Sequence, residues 1–172
     1  MTDIRLTKEN NLDIISLAKK DLEIEIITEK RKLKYEKILD KCIERYNKDD
    51  FDGCITSART CVEEALINIF KIVKGIELEN EGDLIKLNKK VINTLNLDPS
   101  KKDLNDCLKQ VISGLISIIA GFSGLRNKIG DAHATKYEAE KHHAKLVLNV
   151  SVAYINFLFD TYYYQMEKGF IN

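Results

Sequence analysis

One short segment of the sequence, GLRNKIGDAH at residues 124–133, holds the side chains with the clearest capacity for chemistry. Six residues separate Arg126 from His133, and Asn127 directly follows the arginine. A histidine titrates near neutral pH, so it can take a proton from a hydroxyl or give one to a leaving oxygen. A guanidinium can stabilise charge that develops on phosphorus, and an adjacent amide can orient it or a bound phosphate. These are the groups needed to cleave RNA without a metal ion.

The helical periodicity upstream places Arg126 on a buried face. The predicted buried face of this long helix is marked by apolar residues at helical spacing, which are Leu108, Leu115, Ile119 and Phe122. Arg126 comes eleven residues after Leu115 and returns to nearly the same angle. Because a buried guanidinium is costly without a partner, Arg126 either belongs to a site or pairs with Glu63 or Glu64. The spacing alone leaves both interpretations open.

Two residues loosen the helix between the candidate catalytic side chains. Gly130 and Asp131 are poor helix formers and precede His133. Seven steps of a continuous helix would return His133 to the face of Arg126, so a local loosening keeps the two side chains close. Asp131 is therefore grouped with the supporting residues.

The chemistry also favours two copies of the motif. One histidine cannot readily act as base and acid on opposite sides of a phosphate, whereas two motifs facing each other across a homodimer supply both. The last helical segment, residues 136–168, is apolar almost all round. That pattern is typical of a central helix or of one that packs on a second subunit. We expect a homodimer, with this helix as a candidate contact surface.

The periodicity predicts helices along most of the chain, and one proline with eight glycines argues against an all-β fold. Residues 1–28 are ambiguous, because DLEIEIIT alternates like a strand between helical neighbours. The acidic cluster DDFDG lacks the spacing of a calcium loop and is expected to cap the helix after it. The predicted helical segments are residues 29–48, 54–73, 83–95, 103–128 and 136–168.

Arg59 and Glu63 lie four residues apart at the edge of the apolar stripe of the second predicted helix. One interpretation is an ion pair on the helix surface. The other is a boundary pair that faces a cleft, and the spacing does not decide between them.

The cysteine pattern argues against a metal site. No two cysteines have C-x-x-C spacing, and none has a histidine at metal-ligand spacing. We expect no metal and no other cofactor. Four reduced structural thiols are predicted, at Cys42, Cys54, Cys61 and Cys107.

Charge and hydropathy bound the location and the partners. Lys plus Arg and Asp plus Glu number 27 each, so any nucleic-acid activity must use a local groove. The opening MTDIRLTKENNLDII lacks the apolar segment of a signal peptide, and a cytoplasmic location is expected. The longest apolar run, VISGLISIIAGFSGL, is interrupted by serines and glycines, which favours a buried helix over a membrane span. No membrane partner is expected.

Several segments resemble those of a known family. GLRNKIGDAH, followed by EKHHAKLVLNVSVAYINFLFDTYY, resembles the abortive-infection C-terminal domain, a phage-defence module of the HEPN superfamily of helical ribonucleases. DDFDGCITSARTCVEEALINIFK and DLIKLNKKVINTLNLDP resemble the corresponding upstream stretches. The resemblance implies an all-α, HEPN-like helical bundle that forms a homodimer and takes RNA as substrate. It places the family domain at residues 45–172 and an N-terminal helical extension at residues 1–44.

The family motif is an arginine with a following polar residue and a histidine shortly after. The resemblance therefore implies that Arg126 and His133 are catalytic at a dimer cleft and that Asn127 supports them. It also implies a role for an acidic residue on an earlier helix, where Glu63 is the matching residue and Arg59 begins the stretch.

His143 falls where the module carries a histidine in its last helix. On the helical wheel it shares the angle of Val150 and Tyr154, which favours a core histidine in a supporting position. Its neighbour His142 is expected to be solvated.

Two hypotheses from different classes follow. The first is a metal-independent endoribonuclease in phage defence, or a toxin, that cleaves RNA by attack of the 2′-hydroxyl. The second is a non-catalytic HEPN-like dimerisation or partner-binding module, which the balanced net charge favours. Because the segment before the module is short, we expect any trigger or neutralising partner to be another protein, another gene product or the dimer itself.

Overall fold

The computed structural model describes residues 29–78, 82–100, 105–130 and 139–171, and of residues 29–36, 123 and 125–130 it describes the backbone alone. The described residues contain no strand, which confirms the all-α prediction. The strand-like alternation predicted within residues 1–28 lies outside the described residues. The five helices are α1 (Glu29–Asn47), α2 (Phe51–Lys74), α3 (Leu84–Thr94), α4 (Asp106–Gly130) and α5 (Lys141–Glu167).

Local signals in the sequence set both ends of α2. The Asp50 carboxylate accepts a hydrogen bond from the Gly53 N–H at 2.9 Å, which caps the helix as expected for the acidic cluster. Gly75 adopts a left-handed conformation with φ of 68° and donates its N–H to the Lys71 carbonyl, which ends α2.

The core of the bundle is built around α2, which packs against α1, α3, α4 and α5. Its apolar stripe is buried, as the sequence predicted. The middle of α5 is also buried within the protomer, mainly against α2. Of the two interpretations of this apolar helix, the structure therefore supports the central helix. The surface expected to contact a second subunit is largely used inside one protomer.

One side of α4 is exposed, contrary to the expectation of a buried helix. Ile112, Ile119 and Phe122 are buried, and they set the inner face. The predicted burial of Leu108 is wrong, because this side chain is 43% exposed. The physical reason is its position along the helix, because Leu108 lies in the first turn of α4, and among the described helices α4 packs mainly against α3 and only slightly against α2. Val111 and Ile118 share this exposure.

Three of the four thiols belong to the core. Cys42, Cys54 and Cys61 are buried, whereas Cys107 is exposed, so its predicted structural role is wrong. Burial raises the pKa of Cys54 to about 11 and that of Cys61 to about 12. It also raises the pKa of Cys42 far above its usual value. These buried thiols therefore stay protonated at neutral pH and pack as small apolar side chains.

Buried polar contacts connect α5 to α3. The Tyr154 hydroxyl donates a hydrogen bond to Oδ1 of Asn88, and both side chains are buried. Burial raises the pKa of Tyr154 far above its usual value, so the hydroxyl remains a donor. Gln165 donates from Nε2 to the Leu95 carbonyl at the end of α3. These contacts fix the position of α3 against the central helices.

We predict that Tyr154→Phe lowers the free energy of unfolding by about 1–3 kcal/mol, because Asn88 loses its buried donor. The matched control is Tyr164→Phe, at a position that is 56% exposed, which should change stability by less than about 0.5 kcal/mol. Urea unfolding measures both variants. Equal losses in the two would contradict a special role for the buried hydrogen bond.

Candidate functional site

The backbone of α4 continues through the predicted motif. The helix runs to Gly130, so Arg126 and Asn127 both occupy helical positions in its last turns. Arg126 comes seven residues after Ile119 and four after Phe122, and both of these are buried. Position 126 therefore lies on the inner side of α4 by helix geometry. This agrees with the periodicity argument from the sequence, although Leu108 does not contribute to that face.

The remaining part of the motif lies outside the described residues. Residues 131–138, which include Asp131 and His133, connect α4 to α5. The side chains of Arg126 and Asn127 are likewise not described. The pairing of Arg126 with His133 therefore remains a prediction, as does a pairing of Arg126 with Glu63 or Glu64.

The chain returns to the bundle at Ala139, which is buried. Its N–H donates a hydrogen bond of 3.3 Å to Oδ1 of Asp52, in the first turn of α2. Ala139, the first described residue after His133, is thus anchored against the start of the central helix. Sequence reasoning did not single out Asp52. The available signal was a carboxylate in the first turn of a helix, which is well placed to accept backbone N–H groups.

Arg59 and Glu63 form a buried ion pair on α2. Nη2 of Arg59 lies 2.8 Å from Oε1 of Glu63, and the side chains are only 5% and 9% exposed. The interpretation as a surface ion pair is therefore wrong. Nη2 of Arg59 also donates to the Gly82 carbonyl at 3.3 Å, just before α3. Its Nε is buried without a hydrogen-bond partner in the structure described.

The anchor and the ion pair share one side of α2. Arg59 comes seven residues after Asp52, and Glu63 follows four residues later, which places all three on one face of the helix. By helix rise, about 10 Å of axis separates Asp52 from Arg59. This face therefore contacts the end of the motif-bearing segment at Asp52 and the start of α3 at Gly82.

His143 is not a core histidine, which corrects the helical-wheel prediction. It lies in the first turn of α5, half-buried, and its Nδ1 accepts a hydrogen bond of 3.2 Å from the Glu140 N–H. The wheel placed it correctly in angle, but the helix begins at Lys141 and this turn lies at the edge of the bundle. His142 is exposed as expected, with its Nδ1 3.3 Å from a Glu140 carboxylate oxygen.

Glu140, His142 and His143 are the described residues closest to a metal-binding arrangement, with possible ligand atoms within 4.8 Å of one another. Two physical features disfavour a cation there. The Nδ1 of His143 already accepts the Glu140 N–H, and the N-terminus of α5 carries the positive end of the helix dipole. The arrangement is better explained as the cap of α5.

All of the candidate site residues lie within the part of the chain that matches a known family. The model of the family Abi_C, described as a HEPN-like domain, matches residues 33–162. The chain belongs to this HEPN-like family. No curated protein and no solved structure matches it in the same comparisons.

The family match also bears on the domain organisation. The matched region of the HEPN-like domain begins inside α1, so the predicted boundary at residue 44 falls within a helix and remains a prediction. The matched region includes Arg59, Glu63 and the whole 124–133 segment. Among the described residues no helix is long and apolar enough to cross a membrane.

We predict that Glu63→Gln destabilises the domain by about 3 kcal/mol or more, because it leaves the buried Arg59 charge uncompensated. Replacing both partners, as Arg59→Met with Glu63→Leu, should cost less than the single change, since no charge then remains buried. Thermal and urea unfolding measure these effects.

The matched control is Glu44→Gln. Glu44 forms an ion pair with Lys48 at the same four-residue spacing, but both side chains are exposed. Solvent screens such a pair, so we expect no measurable loss of stability. A double variant less stable than Glu63→Gln would contradict the account of the buried pair.

Proposed function

We propose that this HEPN-like domain is a metal-independent endoribonuclease that acts in abortive infection as a phage-defence protein or toxin. The observation that carries the proposal is the placement of Arg126 and Asn127 in the last turns of α4, seven and six residues before His133, inside the region matched by the family. A positively charged side chain at an inner helical position needs a partner or a task, and an anionic phosphodiester provides one.

The proposed chemistry is transesterification within the RNA strand. His133 of one protomer takes the proton from the ribose 2′-hydroxyl, and the 2′-oxygen attacks phosphorus. The bond from phosphorus to the 5′-oxygen breaks, and His133 of the second protomer protonates that oxygen. Arg126 stabilises the negative charge that develops on the phosphoryl oxygens. The products are a 2′,3′-cyclic phosphate and a 5′-hydroxyl.

The supporting residues act through position. Asn127 orients the arginine or the phosphate, and Asp131 is grouped with it as a supporting residue of the motif. The Arg59–Glu63 pair holds α2 against the start of α3, through the contact of Arg59 with Gly82. His143 caps α5 and so fixes the point at which the His133 segment ends.

The exposed side of α4 is the proposed homodimer surface, in place of α5. Val111 and Ile118 expose apolar side chains there. A Cβ added at Gly114 or Gly121 would meet nothing within 4 Å, so packing inside the protomer does not require these glycines. Each costs about 1 kcal/mol of helix propensity relative to alanine. Glycines at these positions would let a second α4 approach closely, and this contact would bring the two motifs toward the two-fold axis of the dimer.

We expect the wild type to cleave single-stranded RNA in EDTA, with Arg126→Ala and His133→Ala each slower by about 100-fold or more. The matched control is His142→Ala, which removes an exposed histidine and should retain activity. Gel analysis of a labelled RNA measures the rates. Activity of both motif variants equal to the wild type, or a strict need for a divalent metal, would refute the assignment.

We expect Ile118→Glu to convert the dimer to a monomer, because two like charges would face each other across the α4 contact. Leu146→Glu is the matched control, since Leu146 on α5 is 63% exposed against 42% for Ile118. Analytical ultracentrifugation reports the oligomeric state, and cleavage should fall with the loss of the dimer. A wild-type monomer, or an Ile118→Glu variant that remains dimeric, would contradict this interface.

The second candidate function is a non-catalytic dimerisation or partner-binding module of a defence system. The exposed apolar side of α4 favours it, because such a surface also suits a separate activating or neutralising protein. Expression in bacteria separates the two functions. Toxicity of the wild type that His133→Ala abolishes supports the nuclease, whereas equal toxicity of both supports the binding module.

A further inference from the structure

A groove lies between α3 and α4, beside Asp98 and Pro99, which follow α3 in the chain. Its volume is about 260 Å³, slightly below the roughly 300–1,000 Å³ of pockets for small molecules. A groove of this size suits one flat ring system better than a folded ligand. The lining residues are Ile85, Asn88, Lys89, Ile92, Asn93, Asp98, Pro99, Ile116 and Ala120.

The groove combines an apolar interior with polar edges. Ile92 on α3 and Ile116 on α4 contribute apolar surface, and Lys89 and Asn93, neither of them fully buried, contribute an ammonium and an amide group. Asn88 is held in place by the Tyr154 hydroxyl, so the α3 side of the groove is fixed to the core of the bundle. A nucleobase has the matching chemistry, with an apolar face and hydrogen-bonding edges.

The charge beside the groove also matches an RNA strand. The exposed side of α3 presents Lys86, Lys89 and Lys90 in a chain whose net charge is zero. Of these lysines, Lys86 pairs with the Asp83 carboxylate at 3.4 Å, whereas Lys89 lines the groove itself. Asp83 also accepts the Lys86 N–H at 3.0 Å, and Asp98 accepts the Ser100 N–H at 2.8 Å. Because the net charge of the chain is zero, lysines close to a local groove are needed to attract phosphates there.

The groove lies on the side of α4 that leads to the motif. Asn127 comes seven residues after Ala120, which returns it to the groove side of the helix. By helix rise the separation along the axis is about 10 Å. A base in the groove therefore belongs to a nucleotide close to the one whose phosphate reaches the motif.

We propose that the α3–α4 groove binds a base of the single-stranded RNA substrate next to the cleaved phosphodiester. The inference rests on the proposed nuclease function and deepens it. Lys89 contacts a backbone phosphate, and Asn93 makes hydrogen bonds to the edge of the base. The groove thereby sets a sequence preference at one nucleotide near the cut.

RNA binding tests the role of Lys89. In a His133→Ala background, which prevents cleavage, fluorescence anisotropy with short single-stranded RNAs should show that Lys89→Glu weakens binding by about tenfold or more at low salt. The matched control is Lys37→Glu, which makes the same charge change on α1, a helix that packs against α2 and α5. It should change the affinity by less than about twofold. Equal weakening by both changes would overturn the groove assignment.

Cleavage-site sequencing tests the role of Asn93 in the active protein. Asn93→Ala should alter the base preference at one nucleotide near the cut, while Lys37→Glu should leave it unchanged. Cleavage that is insensitive to both Lys89→Glu and Asn93→Ala would overturn the groove and leave the nuclease proposal intact. Absence of any cleavage, with binding that still depends on Lys89, would overturn the nuclease proposal and leave the RNA groove.

Discussion

A buried ion pair on the central helix constrains the rest of the bundle. Arg59 and Glu63 are both enclosed on α2, and each neutralises the other within the same helix, so no neighbouring helix must supply a countercharge. The contact of Arg59 with the Gly82 carbonyl ties α2 to the start of α3, and α3 in turn supports α4. The contact of Asp52 with Ala139 ties the other end of the motif-bearing segment to the same face of α2. The same face of α2 thus contacts Gly82, just before α3, and Ala139, just before α5.

Periodicity was sufficient to predict the helices and most of the core, because the apolar stripe of α2 is buried as a single continuous face. It failed where burial depends on which neighbour covers a helix. Leu108 fits the stripe of α4, yet α3 leaves that part of the helix uncovered. The middle of α5 is apolar all round because it is central to the protomer, which the sequence could not separate from a subunit contact.

For the site residues, too, the sequence predicts the angle of a side chain around its helix but not whether other elements bury it. The sequence places Arg126 on the inner side of α4, and the helical backbone to Gly130 agrees with that placement. It could not tell a buried Arg59–Glu63 pair from a surface pair, because the same four-residue spacing serves both. His143 has the angle of a core residue, but it lies in the first turn of α5, where a side chain caps the backbone. Asp52 contacts Ala139, 87 residues away in the chain, and its position in the first turn of a helix indicates an acceptor of N–H groups but not which N–H it accepts.

In the proposed reaction the 2′-hydroxyl of RNA is the nucleophile and no metal takes part. The most direct measurement is mass spectrometry of the products from a defined RNA cleaved in EDTA, beside the same RNA with a single 2′-deoxy nucleotide at the cut. We expect a 2′,3′-cyclic phosphate and a 5′-hydroxyl from the first RNA and no cleavage at that site in the second. Products with a 5′-phosphate, or undiminished cleavage at the 2′-deoxy nucleotide, would contradict this reaction.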